Sequence, residues 1–374
     1  MIFIVNHPFQ NGGTYTWYLN FTKHLESIKI PYKGIFNKIP HTTDFGERNV
    51  IIVNNYLLPN FWDNNILDFI KINKKNKLYF VIHSGICPSN FVISKSIKYI
   101  DGFICVSDEI ANKVSNIYPT KKIIVFENYV ETFEIKHDKK ESGIINIHYI
   151  GRFTPEKNLP MLFCAMTSVD KSIHLHLFGK YEDKQYQKFL ENLVNICGIK
   201  DNVHFEEFTD NKHKLYENAD YTILTSVHEG MPYCILESLA CGVPVITNFN
   251  IGDNDGILFK LNGLNEKKYI NQLDIFSYDE LLVAIGYYKM AIQVSKLKNS
   301  DLCKNIGMLI RHPVEKVVIP PIAIKEEGKL FNENVAIIKN AIMLGFERKM
   351  KILPKSKYTT EEYQKKLLNI INSL

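Results

Sequence analysis

Two successive trains of short apolar runs, each alternating with amphipathic stretches and separated by one charged interval, constrain this chain more than any other feature. Runs such as Ile2-Phe3-Ile4-Val5, Val50-Ile51-Ile52-Val53 and Phe80-Val81-Ile82 are too short for buried helices and are unbroken by polar residues. That is the signature of strands covered on both faces in a parallel sheet. Strands are expected near Ile2–Val5, Val50–Val53, Leu78–His83, Gly102–Val106 and Ile123–Phe126. Helices are expected over Thr14–Leu25, Asn64–Ile72 and Ser107–Ile117, the last opened by Ser107 as N-cap ahead of Asp108 and Glu109.

From Glu131 to Gly143 the composition turns polar, with Lys136, Asp138, Lys139, Lys140 and Glu141 in close succession, and this reads as a linker. Alternation then restarts, with strands expected near Ile145–Ile150, His174–Phe178, Val203–Phe205, Tyr221–Thr225 and Val243–Thr247. A chain of 374 residues exceeds the usual size of one hydrophobic core. The expectation is therefore α/β architecture with residues 1–130 as a first Rossmann-like domain, 131–143 as linker, 144–350 as a second such domain and 351–374 as a helical segment. Beyond Phe249 the pattern weakens. Helices are expected around Tyr278–Val294 and Asn332–Met350, with an extended stretch at Val317–Pro321 between them. Thr359 and Glu362 form a capping box for a last helix that runs to about Ile371.

No apolar run approaches the ~18 residues of a membrane-spanning helix. The start Met1-Ile2-Phe3-Ile4-Val5-Asn6 lacks the basic and long apolar regions of a secretory signal. A cytoplasmic location follows as the expectation, and the seven scattered cysteines are read as reduced thiols. A net charge of +5 is too small to mark a nucleic-acid binder. Of 45 basic residues only Arg48, Arg152, Arg311 and Arg348 are arginine, so an Arg here is more telling than usual of a need for its planar, permanently charged fork.

Four places carry residue types suited to chemistry. Gly12-Gly13-Thr14 follows the first strand and opens a helix, where bare amides and missing side chains let a phosphate approach; a plain tight turn reads equally well. Gly151-Arg152-Phe153-Thr154-Pro155-Glu156-Lys157 follows a strand and sets two cations across one loop, where a diphosphate could be neutralised; solvated surface cations are the bland reading. In Glu229-Gly230-Met231-Pro232 through Glu237, one carboxylate lies in a loop after a strand and the other on the helix that Pro232 introduces. His83 ends an apolar strand, a position more often structural than catalytic.

Taken together these pieces resemble the retaining glycosyltransferases of sequence family 4, whose fold is the GT-B type: two doubly wound parallel-sheet domains facing a central cleft. The Gly12-Gly13 turn, the Gly-Arg-(x)4-Lys stretch ending at Lys157 and the Glu-(x)7-Glu from Glu229 to Glu237 match in order and spacing. Asn128 matches an asparagine at the domain junction, although the usual following glycine is Tyr129. The resemblance implies that Arg152 and Lys157 bind the donor diphosphate as leaving group. It implies that Glu237 accepts hydrogen bonds from the ribose, and that Glu229 with the amides near Gly230 and Met231 holds the transferred sugar. Gly12 and Gly13 would approach the diphosphate or acceptor, and His83 would lie beside the sugar through its side chain or its carbonyl. Retention without a conventional nucleophile and without a metal or other cofactor is implied as well. The usual Gly-Gly-x-x-Glu turn is replaced here by Gly252-Asp253-Asn254-Asp255-Gly256, so those contacts are not carried over.

The expected partners are a nucleotide-sugar donor and a saccharide or lipid-linked acceptor. From Met1 to Lys140 there are 17 basic and 12 acidic residues, with Lys71, Lys74, Lys75 and Lys77 clustered after Phe61-Trp62. A solvated face is the favoured reading of that cluster, contact with an anionic membrane surface the sharper one, and a nucleic-acid acceptor the weaker. An epimerase or sugar phosphorylase of the same fold and a non-catalytic sugar-nucleotide-binding or scaffold protein are the competing functions.

Overall fold

The computed structural model describes residues 1–6, 12–36, 49–54, 76–83, 97–135, 143–154, 157–181, 184–226, 229–249, 256–260, 321–348, 350 and 352–374, the side chains of the 321–348 helix from 333 onward. These fall into two compact units: Met1–Glu131 with His228–Leu236 and Ser356–Leu374, and Thr132–Val227 with Glu237–Lys355. The helices expected over Asn64–Ile72 and Tyr278–Val294 lie outside the described residues.

The first unit is built on a parallel sheet of β1 (Ile2–Asn6), β2 (Tyr32–Phe36), β3 (Val50–Val53), β4 (Lys77–Ile82), β5 (Gly102–Cys105) and β6 (Lys122–Val125), in the order β2-β1-β3-β4-β5-β6. Ile2, Phe3, Ile4 and Val5 are all buried, as are Leu78 through Ile82, so the unbroken apolar runs do mark doubly covered strands. Helix α1 (Gly12–Ser27) buries Trp17, Phe21 and Leu25 against the sheet. Helix α2 (Asp108–Ile117) begins where expected, the Ser107 hydroxyl accepting from the Ile110 amide at 3.3 Å. Strand β2 was not anticipated. It is an edge strand with Gly34 at its centre, and a Cβ there would stand 2.4 Å from the Tyr18 hydroxyl; glycine in a strand weakens the very apolar signal by which strands are recognised.

The second unit carries β7 (Ile145–Ile150), β8 (Ile173–Phe178), β9 (Val203–Glu206), β10 (Tyr221–Leu224), β11 (Val245–Thr247) and β12 (Gly256–Leu258), ordered β12-β11-β10-β7-β8-β9 and parallel throughout. Helices α3 (Leu159–Met166), α4 (Lys184–Ile196), α5 (Lys212–Tyr216), α6 (Tyr233–Ala240) and α7 (Pro321–Arg348) follow in chain order, α6 belonging to this unit from Glu237 on. Period-two alternation is plain in β8, where Ile173, Leu175 and Leu177 are buried while His174 and His176 are part-exposed. Helix α7 begins well before the expected Asn332 and buries Ile338, Ala341 and Ile342.

The last helix, α8 (Thr360–Ser373), opens on a complete Thr359/Glu362 capping box and belongs to the first unit. Its Tyr363, Leu367 and Ile370 join that unit's core. Two residues past β6, Glu127, 4% exposed, accepts hydrogen bonds from Lys357, Tyr358 and Lys366, the last at 3.1 Å. Burial opposes ionisation of this carboxyl, but the three hydrogen bonds outweigh it and hold its pKa below the ordinary value. Since the folded value lies below the unfolded one, the stabilisation is full above the ordinary carboxylate range and is lost as pH falls through the folded value. Glu127→Gln should therefore cost about 2 kcal/mol at neutral pH, the loss of charge-assisted hydrogen bonds. The gap to wild type should close as pH falls below the ordinary carboxylate range. Denaturant melts of the first unit at a series of pH values check this, and a gap independent of pH would refute it.

Candidate functional site

In open parallel sheets the ligand crevice lies beyond the carboxyl ends of the strands, where successive connections leave the sheet in opposite directions. In the second unit that point lies between β7 and β10, which pair through Tyr221–Ile147 and Thr222–His148. Arg152 follows β7 and is exposed, while the turn beneath it is clamped. The Tyr149 hydroxyl donates to the Arg152 carbonyl at 2.9 Å, and the Gly151 amide donates to the Phe178 carbonyl at 3.0 Å. Phe153, 2% exposed, anchors the far side.

Lys157 is fixed through its backbone. Its amide donates to the Thr154 carbonyl at 3.0 Å, and its carbonyl accepts from the Thr225 hydroxyl at 3.2 Å. Asn158, in the left-handed region at φ 58°, donates from Nδ2 to the Thr225 carbonyl at 3.3 Å and leads into α3. The loop carrying the lysine is thus tied to the end of β10. The basic pair expected from the Gly151–Lys157 spacing therefore stands on two anchored pieces of backbone at the switch point. Pro155 and Glu156 lie outside the described residues.

Glu237 sits on α6 with its side chain 13% exposed, its Oε1 2.8 Å from the Lys212 ammonium and its Oε2 accepting from the Tyr216 hydroxyl at 3.1 Å. Both partners come from α5 and neither was singled out from the sequence. A carboxylate still has lone pairs to spare after two such bonds, so the arrangement orients Glu237 and leaves it able to accept further hydrogen bonds.

Gly179 is another residue that sequence reasoning missed. A Cβ there would stand 1.9 Å from the Gly151 carbonyl oxygen, a backbone atom that cannot swing away. Gly179→Ala should push the Gly151–Arg152 turn out of place and destabilise the second unit by about 1–3 kcal/mol, the usual cost of overpacking. A thermal melt beside wild type checks this, and an unchanged melting temperature would refute it.

In the first unit the corresponding switch point lies between β1 and β3. Gly12 opens α1 with φ +74°, a backbone state that favours glycine, and both Gly12 and Gly13 are exposed. Beside Gly13, a Cβ would meet Tyr233 Cδ2 at 3.7 Å, ordinary contact. Tyr233 in turn receives a hydrogen bond from Asn20 at 3.5 Å. Glu229 is part-buried. Next to it, Gly230 backs onto His83: a Cβ at Gly230 would lie 2.0 Å from the His83 carbonyl oxygen. Met231 offers its carbonyl to Asn128 Nδ2 at 2.6 Å, while the buried Asn128 Oδ1 has no hydrogen-bond partner. The first unit thus gathers His83, Gly230, Met231 and Asn128, with Gly13 beside Tyr233. Arg152, Lys157 and Glu237 belong to the second unit.

The His83 carbonyl faces Gly230, while its ring packs against Asn54 and Trp17. Burial lowers the imidazole pKa to about 3, with no ion pair acting on it. The ring is therefore neutral at physiological pH. Its Nε2 is 2.6 Å from Asn54 Oδ1, and Trp17 stands edge-on at a centroid distance of 5.6 Å. Asn54 was not anticipated, although the strings Ile2-Phe3-Ile4-Val5-Asn6 and Ile51-Ile52-Val53-Asn54 repeat one signal, an asparagine closing an apolar strand.

Residues 129–271 match the model of the family described as glycosyl transferases group 1. Over 261 residues the chain is 27% identical to N-acetyl-alpha-D-glucosaminyl L-malate synthase of Bacillus anthracis, covering 65% of this chain and 64% of that protein. Over 158 residues it is 26% identical to the lipopolysaccharide core biosynthesis glycosyltransferase LpsE of Rhizobium meliloti, covering 41% of this chain and 45% of that one. An uncharacterized glycosyltransferase of Methanocaldococcus jannaschii is 27% identical over 180 residues, 43% of this chain and 45% of that protein. The chain spans about half the length of the curated relatives it matches. Among solved structures, Anabaena HepE in complex with UDP-glucose aligns over 100% of this chain and 99% of its own, with a TM-score of 0.55 at 14% identity. The lipopolysaccharide outer core galactosyltransferase WaaB aligns over 93% and 99%, with a TM-score of 0.53 at 15% identity. The fold is GT-B. A GT-B chain has two Rossmann-like parallel sheets, and both sheets here are six-stranded, parallel and flanked by helices. Among the described residues no helix is long and apolar enough to cross a membrane.

Proposed function

We propose that this protein is a glycosyltransferase that moves a sugar from a nucleotide-diphosphate sugar to an acceptor hydroxyl, with retention of anomeric configuration and without a metal. One observation carries the reading. The group 1 family match over residues 129–271 spans Arg152, Lys157, Glu229 and Glu237, and the basic pair lies at the switch point where such sheets take up ligands.

Arg152 and Lys157 neutralise the diphosphate as it departs, an electrostatic stabilisation that grows along the reaction coordinate. Glu237, oriented by Lys212 and Tyr216, accepts from the ribose hydroxyls. Glu229 and the amides of Gly230 and Met231 hold the transferred sugar, His83 meets one of its hydroxyls, and Gly12 and Gly13 admit the phosphate or the acceptor closely. The acceptor hydroxyl attacks the face from which the diphosphate leaves and gives its proton to a leaving phosphate oxygen, so the paired carboxylates of glycoside hydrolases have no counterpart. The name of LpsE supports a saccharide or lipid-linked acceptor. A cytoplasmic location with peripheral contact to anionic lipid accords with that choice. The relatives named are transferases and a synthase, and no observation favours an epimerase or a silent binding protein.

A panel of nucleotide sugars, begun with UDP-glucose and followed by thermal shift and calorimetry, tests this directly. One donor should bind selectively and raise the melting temperature by a few degrees, as mass action requires when ligand is in about hundredfold excess over Kd. A panel with no binder would sink the proposal.

A further inference from the structure

The switch point of the first sheet carries a polar relay whose hydrogen positions are fixed by chemistry. Asn6 closes β1 and Asn54 follows β3, side by side because Val5 pairs with Val53. Both are almost fully buried, at 3% and 2% exposure. Asn6 Nδ2 lies 3.3 Å from the Ile4 carbonyl, and Asn54 Nδ2 lies 2.8 Å from Asn6 Oδ1 and 2.9 Å from the Thr14 carbonyl. A main-chain carbonyl only accepts, so the Ile4 and Thr14 contacts leave no freedom to turn either amide over. Both N–H groups of Asn54 are therefore spent.

The atom of Asn54 that meets His83 Nε2, at 2.6 Å, is then the amide oxygen. An amide oxygen accepts, so Nε2 carries the hydrogen, and in a neutral imidazole Nδ1 is left bare. A bare ring nitrogen accepts a hydrogen bond from a hydroxyl and repels a phosphate oxygen, which has only lone pairs to offer. We propose that Asn54, held in place by Asn6, is a positioning residue that locks His83 as the Nε2–H tautomer and reserves its Nδ1 for a sugar hydroxyl. The identity of that hydroxyl rests on the transferase reading; the tautomer does not.

Nitrogen-15 NMR of the full chain labelled at histidine tests the tautomer, with His83 assigned by the resonances lost in His83→Gln. Wild type should show one Nε2–H tautomer with a bare Nδ1, unchanged from pH 6 to 8. Asn54→Ala should release it to a mixture of tautomers. An Nδ1–H ring or an imidazolium in wild type overturns the proposal on the native protein alone, and an unaltered His83 signal in a folded Asn54→Ala does so too. Kinetics separate positioning from structure: Asn54→Ala should lower the transfer rate about tenfold while leaving UDP affinity, read by calorimetry, within twofold of wild type. A UDP affinity that falls as far as the rate makes Asn54 merely structural and overturns its positioning role. If no nucleotide sugar binds wild type at all, the sugar-hydroxyl role falls with the transferase reading, and the NMR result still decides the tautomer.

Discussion

Lys157→Ala should lower the transfer rate by about two to three orders of magnitude, the usual consequence of removing one preorganised group that meets charge developing in the transition state. The fold should be unaffected. Two bonds that hold residue 157 run through its amide and its carbonyl, to Thr154 and Thr225, and alanine keeps both. Arg152→Lys is a companion variant, since it keeps the charge but loses the planar fork and should still cost a large part of the rate if both diphosphate oxygens are gripped at once. Single-turnover transfer with the donor found by the panel, run beside a thermal melt, measures both. A Lys157→Ala enzyme within threefold of wild type would remove this lysine from the leaving-group site.

Tyr363→Ala should destabilise the first unit by about 3–5 kcal/mol, the range for deleting a fully buried aromatic side chain. Tyr363 is 1% exposed and is stacked on Tyr129 and Phe126 at centroid distances of 4.5 and 4.9 Å, with the His24 ring edge-on at 4.8 Å. The flanking rings of Tyr129, Phe126 and His24 are themselves buried, so a cavity term adds to the lost transfer energy. The expected observation is early exposure of α8 to hydrogen exchange, ahead of β1 and β4. Tyr363→Phe should be nearly silent by comparison, because it keeps the stacked ring. Equal protection of α8 in wild type and Tyr363→Ala would show that the helix is held by something other than this aromatic stack.

Much of the fold was legible because its strands are buried on both faces and leave unbroken apolar runs: β1, β3, β4, β5 and β7 fall where those runs lie. Strand β2 was not, since Lys33 and Gly34 interrupt its pattern at the sheet edge. The candidate site divides the same way. Arg152, Lys157 and the Glu229–Glu237 segment announce themselves by charge type and spacing along one stretch of chain. Asn6, Asn54 and Gly179 do not, because each matters through a neighbour distant in sequence. Asn6 and Asn54 are 48 residues apart and meet only when β1 pairs with β3, and Gly179 is needed only because the Gly151 carbonyl comes to rest against it.

By itself, then, the sequence determined the class of fold, the limits of most strands and the residue types available for binding a diphosphate, since periodicity, capping and charge are properties of neighbours along the chain. Tertiary structure alone decided the strand order, and with it the two switch points. It also decided that Lys212 and Tyr216 orient Glu237, that Glu127 is held by three residues from the far end of the chain, and that a buried asparagine pair sets the hydrogen on His83. These depend on register and on the exclusion of water, which turn a side chain of ordinary type into one with a single allowed partner.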